Sequence, residues 1–500
     1  MSIRENSVTT EQVFDSIASL RAVADGATVA RVFVTGYYGP GDGGGGHYWW
    51  NSSDARSDNG GTVIQSNTWI GNGRWNLLFS DSLNVLQFGA VPDGSTDCTT
   101  AFNNAIATGV RVIVPHNGSS PGYVVSNVTV VNEMCLEGEL RGVQGPALIV
   151  GTSGAAAFLW TSAVANASYI RIRNFFCQAG SNVTGAAFYR QSSHAIYTAY
   201  GIFENIKTDR SLLWGYDIFP IFGQWNNCQD GFTGATGAQG HGFITALPQA
   251  DSQGARANLN TLRNCQCQTA VAGNTSIAAA IDIGSGEDWL FQNCDWELLS
   301  IQAIRCQNIL GIRFECCWME QISAAQFGTF TTNAAGGTRP VVFESCKLDA
   351  GSITSQLVSI ANTCSAVFDN CWFARVPAGV TLADAQNRAF VKNSPAGGSG
   401  ASTFLVGVNT LTYDVVAGAY VMSQQLHIEN ATSMPAGGAA GRGLLVSATS
   451  NFGIFFGSGA PTLSAAKGSL YLRSDGSSTS NRAYVNTNGA TTWTAVTTAA

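Results

Sequence analysis

Apolar and polar positions in the middle of this chain recur in a fixed frame. An apolar or aromatic residue, any residue, a small or polar residue and then cysteine occur at Leu262 to Cys265, Phe291 to Cys294, Phe314 to Cys317, Phe343 to Cys346 and Phe368 to Cys371. Trp225 to Cys228 precedes them, and the successive cysteines lie 37, 29, 23, 29 and 25 residues apart by subtraction. The segments around them, LFQNCDWEL and IRFECCWME among them, are rich in aromatic and branched residues and are bounded by turn residues, which predicts strands. A strand that recurs at such a period, with variable insertions, marks a solenoid whose coils bury their apolar side only by stacking. The pattern predicts an all-β chain built on a right-handed parallel β-helix, with the cysteines as an inward ladder of small apolar side chains.

The flanks read differently. Residues 1–84 predict a small N-terminal α+β module: a helix over EQVFDSIASLRAVAD capped by Thr9 or Thr10, with Val13, Ile17 and Leu20 on one face, then strands around a glycine-rich loop. The run Gly41 to Gly46 has no Lys-Ser/Thr after it and opens no helix. It therefore serves close approach of Tyr48, Trp49 and Trp50 rather than phosphate binding. Residues 85–108 predict a strand ending in Phe88-Gly89-Ala90, a turn at Pro92-Asp93-Gly94, and a helix capped by Thr96 or Asp97 with Ala101, Ala105 and Ile106 inward. Laid across the open end of the first coil, that helix would seal it from water. The β-helix is expected over 109–395. In 396–500 the repeat fades and no cysteine follows Cys371, so a separate C-terminal β region is expected there.

Composition narrows the class. Only 11% of residues are charged, and 57 glycines fit a turn-rich β protein. A net charge of −7 argues against nucleic acid, which needs a basic patch. No apolar run approaches the ~20 residues of a membrane helix, so no membrane insertion is expected. The 13 cysteines are odd in number, lack paired metal-ligand spacing, and follow an opening, MSIRENSVTT, that does not read as a signal peptide. Reduced thiols packed as small hydrophobes are the expectation, with no metal and no cofactor.

The segment Phe88-Gly89-Ala90, Asp93-Gly94, Thr96-Asp97 resembles the start of the β-helix in the pectate-lyase-like superfamily, in particular phage tailspikes and tail-associated polysaccharide depolymerases. Cys98 stands where a second acid is usual. Gly36-Tyr37-Tyr38, Gly41 to Gly46, Asp58 to Ile64 and Gly73-Arg74-Trp75 are similar to the short domain that often precedes a tailspike β-helix. Gly459-Ala460-Pro461, KGSLYLRSDG and NRAYVNTNGATTWTAV are similar to a small tail module. The resemblance implies a homotrimer held to the phage tail or baseplate by its N-terminal module, made in the host cytoplasm and carried in the virion. It implies a bacterial surface polysaccharide, capsule or O-antigen, as ligand.

Candidate chemistry follows from the frame. Residues at odd offsets from an inward cysteine point outward. Three residues after successive ladder cysteines stand Gln268, Glu297, Glu320, Asp349 and Ala374, with Asp209 at the same place in an earlier coil. Glu297, Glu320 and Asp349 are therefore expected on one outer face, close enough for the carboxylate pair of a glycosidase. Twelve residues before the cysteines, Asp282, Arg305 and Ser359 form a second column, with Asp282 and Arg305 on neighbouring rungs. Glu287, Asp288 and Trp289 are expected in a turn beside them as substrate-binding residues, while Trp296, Trp318 and Trp372 offer aromatic faces if exposed. The five histidines share no column, nothing resembles a calcium loop, and no Gly-x-Ser-x-Gly elbow occurs. The expectation is polysaccharide hydrolysis, with a non-enzymatic receptor-binding protein and a polysaccharide lyase as alternatives.

Overall fold

The computed structural model describes residues 11–23, 29–152, 154–161, 166–180, 185–191, 197–209, 211–231, 241–247, 256–268, 277–331, 340–361, 365–377, 380–383, 389–392, 394, 412–414, 419–421, 436–438, 443–447 and 451–498. Parallel strands stack in two long sheets, one of 10 strands and one of 22, the larger bent into two faces. One coil shows the plan. Gly286–Gln292, bent at left-handed Asp288, forms a first face, Asn293 turns the corner, Asp295–Glu297 forms a short second face, Leu298 turns again, and Gln302–Cys306 forms the third. Ile309–Glu315 then pairs in register beneath Gly286–Gln292, so Phe291 meets Phe314 and Gln292 meets Glu315.

Register makes identical side chains stack. The rings of Phe291, Phe314, Phe343 and Phe368 lie parallel at 4.9, 4.7 and 4.7 Å between centroids. Beside them the predicted cysteine ladder is buried. Each thiol donates to a backbone carbonyl of the preceding coil: Cys265 to Trp225, Cys294 to Leu262 and Cys317 to Phe291, all at 3.4 Å. Cys346 to Phe314 and Cys371 to Phe343 continue it, and the hydroxyl of Ser394 to Phe368 adds a rung that the cysteine frame missed. A thiol or hydroxyl suits the position because it fills little space yet satisfies a carbonyl that would otherwise face apolar surroundings.

From Asn174 onward the corner before the ladder is left-handed on each described coil. Asn174, Asn205, Asn227, Asn264, Asn293 and Asn370 all have φ between 51° and 65°, a conformation asparagine tolerates better than other non-glycine residues. Their amides also bond along the stack, Asn205 to Asn174 at 2.9 Å and Asn293 to Asn264 at 3.3 Å. Cys316 and Ser345 occupy the same slot, each at φ 53° and without an amide. Replacing the former, Cys316→Asn, is expected to stabilise the protein by roughly 0.5–1 kcal/mol, read as a higher midpoint of thermal unfolding.

The sequence reading needs correction at the start of the chain. Its long helix is a strand, Gln12–Phe14, followed by a helix of five residues, Ile17–Arg21, capped by Ser16. Gln12–Phe14 is drawn into parallel pairing with Val32–Val34, in a five-stranded sheet with Gly46–Asn51, Arg74–Leu77 and Val63–Ile64. Phe88 ends a 3₁₀ turn, Val85–Phe88, rather than a strand. The sealing helix is present as Thr99–Ile106 with Ala101, Phe102, Ala105 and Ile106 buried, but Cys98 sits at its cap with no side-chain bond to the helix. Cys98 faces Val91 instead, its sulfur 3.2 Å from both the nitrogen and the oxygen of that residue.

The chain divides into two compact units, Met1–Ala419 and Tyr420–Ala500. The second contains a five-stranded sheet from Gly443–Ser447 to Trp493–Val496 around its own small core of Phe455, Leu463, Ala465, Tyr471 and Tyr484.

Candidate functional site

The second face is built from three-residue strands, so two side chains per rung point outward, one and three residues after the ladder cysteine. Pairing of Gln266–Gln268 with Asp295–Glu297, and of Asp295–Glu297 with Trp318–Glu320, places Gln266, Asp295 and Trp318 in one column and Gln268, Glu297 and Glu320 in the next. Lys347 and then Trp372 continue the first column. Glu297 and Glu320 thus stand on adjacent rungs, as the spacing predicted. Asp295 is the residue the sequence reading passed over. Its signal was available, because an offset of one from the cysteine points outward as an offset of three does.

The three carboxylates sit in unlike surroundings. Half-buried Asp295 is pushed above the ordinary aspartate range by burial and by the Glu320 charge, against hydrogen bonding from Gln266 at 3.0 Å. Its other carboxylate oxygen is buried with no protein partner among the described residues. Burial, then the charge on Asp295, raises Glu297, whose carboxylate accepts from the Gln268 amide. Glu320 is held below its ordinary value chiefly by hydrogen bonds from Lys347, at 2.8 Å, and Trp318. One group keeps its proton more readily while another stays ionised, the division that acid–base catalysis needs.

Aromatic surface frames these acids. Trp318 and Trp372 are 46% and 52% exposed, and the Lys347 ammonium lies 3.6 Å from the centroid of the first ring and 5.5 Å from that of the second. The cation is thereby fixed over Glu320 rather than free to sweep the surface.

Other predicted site residues are placed elsewhere. Asp349 was expected as an open carboxylate, but it is 6% exposed and covered by Arg375, whose guanidinium bonds both its oxygens at 2.8 and 3.0 Å. Arg375 occupies the next left-handed corner, which swings its side chain back over the rung. Asp282 and Arg305 pair in register on the third face, joined by two hydrogen bonds of 2.8 and 2.5 Å, with Asp282 buried. The bend expected at Glu287, Asp288 and Trp289 is present at Asp288, whose φ is 52°: Gly286–Glu287 before it pairs with Ala257–Asn258, and Leu290–Gln292 after it pairs with Thr261–Arg263. Trp289 is 1% exposed and donates to the Ala257 carbonyl at 2.7 Å, so it is core and offers no face to a sugar. Trp296 is buried as well. Asp209 is also buried and accepts from the Ser211 backbone at 2.7 Å.

The third face carries a further acid that the spacing did not pick out. Asp217 lies in register with Thr245, and Thr245 with Asp282. Burial pushes Asp217 up to about 6, opposed by the charge of Arg190. His241 is buried in the interior, and His194 lies outside the described residues. Among the described residues no group of three or more His, Cys, Asp or Glu is arranged to hold a metal ion, and no helix is long and apolar enough to cross a membrane.

Residues 13–80 match the model of the phage tail protein small four-stranded beta-sheet domain. No curated protein matches the sequence. Among solved structures, the tailspike protein of Acinetobacter phage vB_ApiP_P1 overlays with a TM-score of 0.62 at 20% identity, over 89% of this chain and 80% of that one. The gp42 tailspike of Acinetobacter phage vb_AbaP_AS12 overlays with a TM-score of 0.55 at 14% identity, over 85% of this chain and 79% of that one. The parallel β-helix described above is the fold of these tailspikes.

Proposed function

We propose that the chain is a phage tailspike whose β-helix binds and hydrolyses a bacterial surface polysaccharide, capsule or O-antigen, at the second-face carboxylates. The observation that carries the chemistry is the opposite displacement of Asp295, raised, and Glu320, lowered, one rung apart and flanked by exposed indoles. Asp295 serves as the general acid that protonates the leaving glycosidic oxygen, and Glu320 as the base that activates water. Adjacent rungs are about 4.8 Å apart and alternate residues of a strand about 6.7 Å, so the diagonal between the two α-carbons is about 8 Å. The two side chains can set their carboxyls on either side of that figure, so the reading extends to hydrolysis and not to its stereochemistry. Glu297, beside both, is itself raised by burial and by the Asp295 charge, while the Glu320 charge adds to the raised affinity of Asp295 for its proton.

The N-terminal module supports attachment to the tail, and the chain is proposed to act there as a homotrimer in the virion. Trp372 is assigned to sugar stacking. Trp372→Ala is expected to weaken polysaccharide binding about 3- to 10-fold, checked by titration calorimetry with the purified glycan.

The reaction is tested by mixing purified protein with extracted capsule and lipopolysaccharide and following new reducing ends together with near-ultraviolet absorbance. Reducing ends alone support hydrolysis. Reducing ends with the absorbance of an unsaturated product replace the mechanism by elimination, and binding with neither signal makes the protein a non-enzymatic receptor-binding spike.

A further inference from the structure

The charges at this site restrict the kind of glycan it accepts. Asp295, Glu297, Glu320 and Asp349 bring four carboxylates to the second face over three successive rungs, and the described cations beside them are Lys347 and Arg375. Each cation is already engaged. Lys347 lies 2.8 Å from Glu320 and is held over the Trp318 ring, and Arg375 lies 2.6 Å from Asp349. A uronate or other acidic sugar arriving here meets acids in excess and must compete with them for a committed cation. The indoles Trp318 and Trp372 instead offer apolar faces, and Gln266 and Gln268 lead into the acids as neutral hydrogen-bonding groups. The whole chain has the same sign, with a net charge of −7.

We propose, resting on the hydrolase reading above, that the segment of polysaccharide cleaved at this face is uncharged, and that the face discriminates against acidic glycans. The chain of sugars lies along the stack of coils, with pyranose rings against the indoles. No ion pair forms between protein and glycan, so affinity is insensitive to salt.

The test uses the full-length protein and Gram-negative surface polysaccharides separated by anion exchange into an uncharged pool and an acidic pool. Binding and reducing-end release are measured for each pool at low and at high sodium chloride. The expected result is binding to the uncharged pool alone, with less than a twofold change in affinity across the salt range. Binding to the acidic pool that falls steeply with salt overturns the inference and, if cleavage accompanies it, leaves the hydrolase reading standing. Binding to the uncharged pool without new reducing ends upholds the inference and removes the hydrolase reading. Binding to neither pool overturns both.

Discussion

Asp295→Asn is expected to cut polysaccharide turnover about 100- to 10,000-fold while leaving affinity for the glycan within a fewfold of the parent. The amide keeps the shape and the hydrogen bond with Gln266, yet it cannot deliver a proton to the leaving oxygen. Glu320→Gln is expected to lose a similar factor for the opposite reason, since Lys347 then holds a neutral amide that cannot take a proton from water. Glu297→Gln should cost less, because Glu297 is assigned neither the acid nor the base role. The parent requires ionised Glu320 and protonated Asp295. Activity should therefore peak between the lowered value of Glu320 and the elevated value of Asp295, and fall as pH rises through the latter. Initial rates across pH, for parent and each variant, check this. Undiminished turnover in Asp295→Asn would remove the assignment.

The second large effect lies in the interior. His241 and Asp230 are buried with their charged atoms 2.9 Å apart, an ion pair rather than a well-aligned hydrogen bond. The other ring nitrogen of His241 meets the Leu212 carbonyl at 2.6 Å, while Thr208 donates to Asp230 and the Cys267 thiol lies 3.8 Å away. Burial alone would lower the basicity of His241, but the facing Asp230 carboxylate outweighs it and the net displacement is upward. Removing one partner leaves the other buried and uncompensated, so Asp230→Ala is expected to cost about 3–5 kcal/mol. A double replacement by apolar residues of similar size should recover much of that. The pH signature has a definite sign. A histidine whose folded value is raised contributes fully below its unfolded value near 6.5 and loses that contribution as pH climbs through the folded value. Denaturation midpoints should therefore decline as pH climbs from about 6.5 through the folded value, and His241→Leu should flatten that slope.

These two clusters mark what could be read in advance. The ladder cysteines announced the β-helix because a small apolar residue at one point of each coil must recur wherever coils stack, and register then fixed Glu297 against Glu320. Asp295 went unnoticed although it shares their strand. Asp349 looked open because nothing nearby in sequence announces that Arg375, 26 residues on, returns over it. The bend at Glu287 to Trp289 was legible from their glycine neighbours and is present at Asp288, whereas the burial of Trp289 was not legible. The helix expected near the N-terminus shrank for a related reason: a neighbouring strand offered hydrogen bonds to Gln12–Phe14 that an isolated helical turn could not match.

The asparagine corners also bear on how such a molecule ages. Asparagine decays spontaneously when the backbone nitrogen after it swings onto the side-chain carbonyl and closes a five-membered imide, a step that needs local freedom. Here each described corner is locked at positive φ, and Asn205, Asn227, Asn293 and Asn370 each donate their amide to the coil before. The residues that shape the turns are thus shielded from the chemical clock that their type normally carries, and prolonged warm storage should convert asparagines outside the corners first.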